Sequence, residues 1–324
     1  MKSVQLSRFG GPDFLELVDV PTPAPESGEV LIRVRAAGVN FFETLMRQDR
    51  YAVTPDLPIV FGVEVAGTVE VVGPGVDIAP YARVAVPLFL TRGSGGYSDY
   101  ITANADALVP VPDNISFEAA VGLMVQGMTA LQAVRRSPPV GKTVLINAAA
   151  GGVGTLLIQL AKQEGARQVI AAASTAEKLH LAQSLGADIG VNYSQSEWVK
   201  AVRQATGGLG ADVIYDFVGG SLTKACLEVL APSGELLFGA LGRVELDRDD
   251  LESMFLLNRS LKGLALIPLL TPEIVRSDLA ELFGLAANGQ IRVVIGGSFP
   301  LSQASEAHRK IDERATVGKI VLLP

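Results

Sequence analysis

The stretch that most constrains this chain is Asn147-Ala148-Ala149-Ala150-Gly151-Gly152-Val153-Gly154. Thr143-Val144-Leu145-Ile146 precedes it, short, β-branched and apolar, and Thr155-Leu156-Leu157-Ile158-Gln159-Leu160-Ala161-Lys162 follows with apolar residues at helical spacing. The pattern reads as strand, glycine turn, helix. Such a turn aims backbone N–H groups at the positive end of a helix dipole, where a pyrophosphate is stabilised. Gly151 and Gly154 fit the second and third glycines of G-x-G-x-x-G, and Ala149 replaces the first. An ordinary tight turn uses the same glycines. The flanking strand and helix favour the nucleotide reading, with Gly151, Gly152, Val153 and Gly154 as the cofactor-binding loop.

The rest of the chain follows from this unit. Strand-like segments at 143–146, 168–173, 189–192, 212–217, 235–239 and 261–266 alternate with helical ones, with Gly165 and Gly186 as helix C-caps. Six strands joined by helices predict an α/β fold with a doubly wound parallel sheet over residues 123–265. Residues 1–122 read differently. Alternating runs at 30–36, 63–72, 83–86 and 97–101, separated by Gly and Pro turns, predict a rolled antiparallel β-rich domain. Pro110-Val111-Pro112-Asp113 reads as a linker, and Ser116 as the N-cap of the next helix. The tail, 266–324, ends in the strand Ile320-Val321-Leu322-Leu323 and is expected to return to the first domain, which makes that domain discontinuous.

Composition excludes several classes. At 324 residues the chain is long enough for two cores. Lys and Arg total 27 against 34 Asp and Glu, with no basic run, so no nucleic-acid partner is expected. The greasiest stretch, 261–275, is broken by Lys262, Pro268 and Pro272, so no membrane span is expected. Cys226 is the only cysteine, and the first residues lack the apolar core of a signal peptide. A cytoplasmic setting is therefore expected.

Several phrases together resemble the zinc-free quinone oxidoreductase (zeta-crystallin-like) branch of the medium-chain dehydrogenase/reductase superfamily. They are Ala37-Gly38-Val39-Asn40, Gly62-Val63-Glu64-Val65-Ala66-Gly67, Gly95-Gly96-Tyr97-Ser98-Asp99-Tyr100, Gln126-Gly127-Met128-Thr129-Ala130, the glycine turn itself, Leu185-Gly186-Ala187-Asp188 and Gly318-Lys319-Ile320-Val321. The resemblance spans nearly the whole chain. It implies a GroES-like first domain, a Rossmann second domain and an active site in the cleft between them. Zinc members of the superfamily carry Cys where Asn40 stands and His where Val63 stands. With those replaced and one cysteine in the chain, no metal is expected.

An acidic residue about 20 positions beyond the glycines would hold the ribose of NAD. The strand-end slot here holds Ser174, which does not repel a phosphate. Lys178, one helical turn on, can neutralise one, and Tyr193 after the third strand can cover the adenine edge. The resemblance supports all three, so the expected cofactor is NADPH. Glu177 beside Lys178 counts against it. Val218 and Phe238 follow or end strands where loops would cover the nicotinamide ribose, and the resemblance places Thr129 near the nicotinamide. Lys319 matches a family lysine near the cofactor, or is a strand-edge surface lysine.

The resemblance also puts Asn40 and Tyr51 in the substrate cleft, as donors of an amide and a hydroxyl to a carbonyl oxygen. Glu43 replaces the family's aspartate three residues after the asparagine, and Glu64 is expected to be structural. The expected activity is NADPH-dependent reduction of a quinone or related α,β-unsaturated carbonyl. Enoyl-thioester or alkenal reduction is the alternative within the enzyme class, and a non-catalytic NADPH-binding protein the alternative outside it. The apolar sixth strand, 260–266, would leave an exposed sheet edge, and family members pair that edge, so a homodimer is expected.

Overall fold

Val4 and Leu6 are fully buried on either side of Gln5, and this alternation forms β1 (Lys2–Leu6). The structure, a computed structural model, describes residues 1–91, 93–239 and 245–324. β1 pairs with β2 (Leu15–Asp19) on one side, and with β4 (Ile59–Val60) on the other. Between them run β3 (Glu29–Val39) and α1 (Phe41–Arg47). β5 (Val65–Val72), β6 (Arg83–Val86), β7 (Tyr100–Asn104) and β8 (Val109–Pro110) follow at short intervals. β3 is the organising strand: β5 and β7 pair antiparallel with it, and Val30, Ile32, Val34, Ala37 and Val39 enter the core.

β5 and β7 start later than expected, for local reasons. β5 starts at Val65, because Gly62 sits at φ +97 and turns the chain there. β7 starts at Tyr100, because the backbone of 97–99 bonds to β1 instead: Val4 N–H donates to Tyr97 O and Asp99 N–H to Lys2 O.

Ser116 caps α2 (Phe117–Gly122), its hydroxyl accepting from Ala119 N–H. A π-helical segment, Leu123–Gly127, leads into α3 (Met128–Arg136). This helical run is long and apolar enough to cross a membrane by length and composition, with mean hydropathy 1.2, yet 61% of its window is buried inside the protein. The chain divides into two units, residues 1–128 with 267–324, and residues 129–266. The first break falls inside the helical run.

The second unit is the expected parallel sheet. β9 (Thr143–Ile146), β10 (Gln168–Ala173), β11 (Ile189–Asn192), β12 (Ala211–Asp216), β13 (Leu230–Phe238) and β14 (Ser260–Gly263) lie in the order β11-β10-β9-β12-β13-β14. Every pair is parallel. The chain winds outward from β9 through β10 to β11, then crosses back to β12 and runs outward the other way. That reversal is the topological switch point of a doubly wound sheet. α4 (Gly152–Gln163), α5 (Ala176–Ser184), α6 (Trp198–Ala205), α7 (Ser221–Val229) and α8 (Arg248–Leu256) connect the strands. Leu145, Ile170, Ile214 and Leu236 from four neighbouring strands share one core. β14 ends at Gly263, short of the expected 266, because its partner β13 ends at Phe238 and Gly239 N–H turns back to Asp216 O.

The last stretch completes the first unit. α9 (Pro272–Ala287), β15 (Ile295–Pro300) and α10 (Ala304–Asp312) precede β16 (Lys319–Leu323). β16 pairs antiparallel with β3, Ile320 opposite Val39, and parallel with β15. The larger sheet thus runs β15-β16-β3-β5-β6-β8, with β7 also on β3. The register delivers Lys319 beside Asn40, although the two lie at opposite ends of the sequence.

Candidate functional site

In the second unit the glycine turn begins where β9 ends. Ala148 takes φ +49, a left-handed conformation that reverses the chain so that Gly151 N–H reaches Ala148 O at 2.8 Å. Gly151 is the N-cap of α4 and offers no side-chain cap, and the first turn of α4 has no acidic residue. The positive end of a 12-residue helix is therefore left without a carboxylate of its own. A Cβ on Gly154 would lie 2.4 Å from Ala148 O and 2.7 Å from Ala149 Cα. Both are backbone atoms, so only glycine fits. A cradle this close to the backbone, at a helix N-terminus beside the switch point, fits the pyrophosphate of a dinucleotide.

The turn is braced from below. Asp216, fully buried at the end of β12, accepts from Asn147 Nδ2 at 3.2 Å, Val218 N–H at 3.0 Å, Gly219 N–H at 3.4 Å and the Thr223 hydroxyl. Asn147 Nδ2 also donates to Cys226 Sγ at 3.1 Å. This network ties the loops after β9 and β12 to one another. Sequence reading misses it; an acid at a strand end, just ahead of Gly219-Gly220, is the signal that marks it.

The three residues expected at the 2′-phosphate lie just after β10, just after β11 and in the first turn of α5. The register of β10 and β11 sets Ala173 opposite Asn192, so Ser174 and Tyr193 leave adjacent strand ends, and Tyr193 N–H donates to Ala173 O at 3.1 Å. Thr175 caps α5 by accepting from Lys178 N–H at 3.3 Å, which fixes Lys178 in the first turn. Ser174, Lys178 and Tyr193 are each half-buried. Val218 follows β12, and Phe238 ends β13 in register with Asp216; both are half-buried at the same C-terminal edge of the sheet. Thr129, half-buried, stands in the first turn of α3.

In the first unit the expected substrate donors separate. Asn40 is 2% exposed and its amide is fully engaged. Nδ2 donates to Glu43 Oε2 at 3.1 Å and Glu64 Oε1 at 2.9 Å, while Oδ1 accepts from Lys319 Nζ at 2.9 Å. The expectation that Asn40 donates to a substrate carbonyl is corrected by this geometry: both amide hydrogens are spent inside the protein. Asn40 instead anchors α1, since its backbone N–H meets Glu43 Oε2 at 2.9 Å in a capping box.

Lys319 is not a surface lysine. It is 0% exposed, and its ammonium meets Glu64 Oε1 at 2.5 Å as well as Asn40. Burial corrects the surface-lysine reading and leaves the ammonium engaged within the first unit. Glu64 also reaches the π-helical segment, where its Oε2 accepts from Val125 N–H at 2.8 Å. A π-bulge frees backbone groups from the i−4 ladder, and Glu64 satisfies one of them. Gly38 makes room for this ion pair, since a Cβ there would lie 2.2 Å from Glu64 Oε1.

Tyr51 remains. It follows α1, is half-buried and packs against Phe42 with ring centroids 5.3 Å apart. Burial raises its pKa, so the phenol keeps its proton through the neutral range. The two histidines differ in exposure. His180 is exposed on α5. His308 is fully buried, its Nε2 taken by the Tyr97 hydroxyl at 3.2 Å. Among the described residues no group of three or more His, Cys, Asp or Glu side chains is placed to hold a metal ion.

Comparison with known proteins agrees with this arrangement. Residues 26–113 match the alcohol dehydrogenase GroES-like domain, and residues 185–322 the zinc-binding dehydrogenase family. A quinone oxidoreductase of Pseudomonas aeruginosa is 36% identical over 100% of this chain and 99% of its own length. A 2-haloacrylate reductase of a Burkholderia species is also 36% identical, over 98% of each chain. The crystal structure of Escherichia coli quinone oxidoreductase complexed with NADPH superposes with a TM-score of 0.90 at 30% identity, covering 100% of both chains. A fold shared from end to end, with a glycine cradle and a GroES-like unit in the same order, leads to one assignment: this chain belongs to the quinone oxidoreductase (zeta-crystallin-like) branch of the medium-chain dehydrogenase/reductase superfamily.

Proposed function

We propose that this protein is an NADPH-dependent reductase of quinones and related conjugated carbonyl compounds. The observation that carries the reading is the cradle at Gly151–Gly154, with Ser174, Lys178 and Tyr193 on the neighbouring strand ends. Relatives named as quinone oxidoreductases, one of them solved with NADPH, support it. Gly152, Val153 and Gly154 would hold the pyrophosphate. Ser174, Lys178 and Tyr193 would hold the 2′-phosphate, and Thr129, Val218 and Phe238 would border the nicotinamide. Bound NADPH supplies a hydride. The chain supplies position and a proton. Tyr51 holds that proton on its hydroxyl and is the candidate donor to the acceptor's oxygen as negative charge builds there.

Tyr51→Phe is expected to lower turnover about tenfold, less than the loss at a dedicated oxyanion site because the side chain is only half-buried. NADPH affinity should stay near the parent's. Steady-state turnover with a simple quinone, alongside NADPH titration, checks both. A variant that turns over like the parent removes Tyr51 from the chemistry.

The 2-haloacrylate reductase relative favours a second reading, in which a conjugated carbon–carbon double bond is the acceptor. A panel of quinones, enones and enoyl thioesters separates the two. Tight NADPH binding without turnover on any of them would point to the non-catalytic alternative.

The reading includes zinc independence. With Asn40 and Val63 in the positions of the ligands of zinc members, full activity is expected after exhaustive chelation. One tightly held zinc per chain, with activity lost on its removal, overturns this. It also includes a homodimer. Among the described residues β14 is the last strand of the sheet, and α8 just before it exposes Leu251, Phe255 and Leu256. Light scattering should return twice the chain mass, and a monomer mass at all concentrations would contradict the pairing. We place the enzyme in the cytoplasm, which cell fractionation checks.

A further inference from the structure

The cluster under α1 holds two carboxylates and one ammonium, and all three are sealed from solvent: Glu43, Glu64 and Lys319 are each 0% exposed. If both acids were ionised the site would carry a net negative charge with no solvent to screen it, an arrangement that buried sites avoid. The hydrogen bonds show which acid keeps its charge. Glu64 receives three donors, Lys319 Nζ at 2.5 Å, Asn40 Nδ2 at 2.9 Å and Val125 N–H at 2.8 Å. Glu43 receives Asn40 N–H and Nδ2, both on Oε2, at 2.9 and 3.1 Å. Its Oε1 is buried with no close hydrogen-bond partner among the described residues, the Tyr97 hydroxyl being set towards this carboxyl. An unpartnered neutral hydroxyl costs far less in the interior than unpartnered charge.

We propose that Glu43 is a buried carboxylic acid, protonated on Oε1, and that the first unit carries this proton as a fixed part of its fold and releases it on opening. The cluster is then electroneutral, with Glu64 and Lys319 as its one ion pair.

Among the described residues, Lys319 is the cation whose attraction acts on Glu43. Arg47, one turn along α1, is paired through Nη2 with Asp312 of α10 at 2.5 Å, while its Nε and Nη1 are buried without a hydrogen-bond partner. His308 of α10 is lowered to about 3 by burial and by Arg47, and so is neutral. Tyr97 is raised by burial, by the charges of both glutamates and by a hydrogen bond to Glu43, and keeps its phenolic proton. Burial, then the like charge of Glu64, pushes Glu43 up to about 8 against the pull of Lys319.

The linkage has a definite sign. The folded acid at about 8 lies above the ordinary value of 4.5. Its contribution is fully present below 4.5 and is lost as pH rises through about 8. His308 acts in the opposite sense and in another window: its contribution is lost as pH falls from 6.5 towards about 3.

Glu43→Gln supplies a permanently neutral side chain of the same shape. Urea unfolding of parent and variant across the pH range tests the proposal. The folding equilibrium constant of the variant, divided by that of the parent, should rise by up to about tenfold per pH unit between the two values and then level off. Parallel curves would overturn the proposal. Infrared spectra of the parent decide the matter without any variant. A protonated carboxyl C=O stretch should be present at neutral pH and vanish with a midpoint near 8. Absence of a band that titrates there would equally overturn it.

Discussion

Replacing Lys319 by methionine is expected to destabilise the first unit by about 3–5 kcal/mol, the cost of leaving a buried carboxylate without its counter-charge. Both members of the pair are 0% exposed, so solvent cannot take over the role of the ammonium. The damage should spread through Asn40, whose Oδ1 loses its only cationic donor, and through Glu64 to the π-helical segment. Urea unfolding measures it. The double variant Lys319→Met with Glu64→Gln should recover most of the loss, because a site emptied of both charges costs far less than one holding a single charge. If Lys319→Met unfolds at the parent's midpoint, the pair contributes nothing and the reading of the cluster fails.

The second large effect is on cofactor choice. Lys178→Ala should weaken NADPH about 10- to 100-fold, because a charge-assisted hydrogen bond contributes roughly 1.5–3 kcal/mol. NADH has no 2′-phosphate and its affinity should hardly change. Ser174 and Tyr193 stay in place in this variant, since their positions come from strand register and not from the lysine. Fluorescence titration with both cofactors makes the comparison. Equal losses for NADPH and NADH would mean that Lys178 supports the fold and not the phosphate.

The second unit is largely legible in its sequence, because its signals are local. A β-branched run, a glycine turn and a helical repeat lie within about 25 residues, and each strand of the parallel sheet is marked by its own apolar run. Ser174 and Tyr193 could be paired on paper because consecutive parallel strands lie side by side. The first unit was less legible where it mattered most. Nothing in the sequence shows that positions 40, 43, 64 and 319 meet, since antiparallel register across β3 and β16 brings them together. Asn40 therefore reads as a free amide, and Lys319 as a cofactor contact or a surface lysine, until burial and hydrogen bonding are known. The π-helical segment was hidden for a related reason. Residues 123–127 have ordinary helical composition, and the extra residue in the turn shows only in the backbone.

The placement of Cys226 makes the molecule its own stability probe. The chain's sole thiol lies 0% exposed on α7, accepting a hydrogen bond from Asn147, and burial pushes its pKa up. A thiol so placed is inert to alkylating reagents while the helix stays packed. Labelling then proceeds only through molecules in which the second unit has opened. Its rate, followed against urea concentration, reports the free energy of that opening separately from events in the GroES-like unit, which contains no cysteine. Saturating NADPH, if it holds the loop that Asn147 begins, should slow the labelling in proportion to cofactor occupancy.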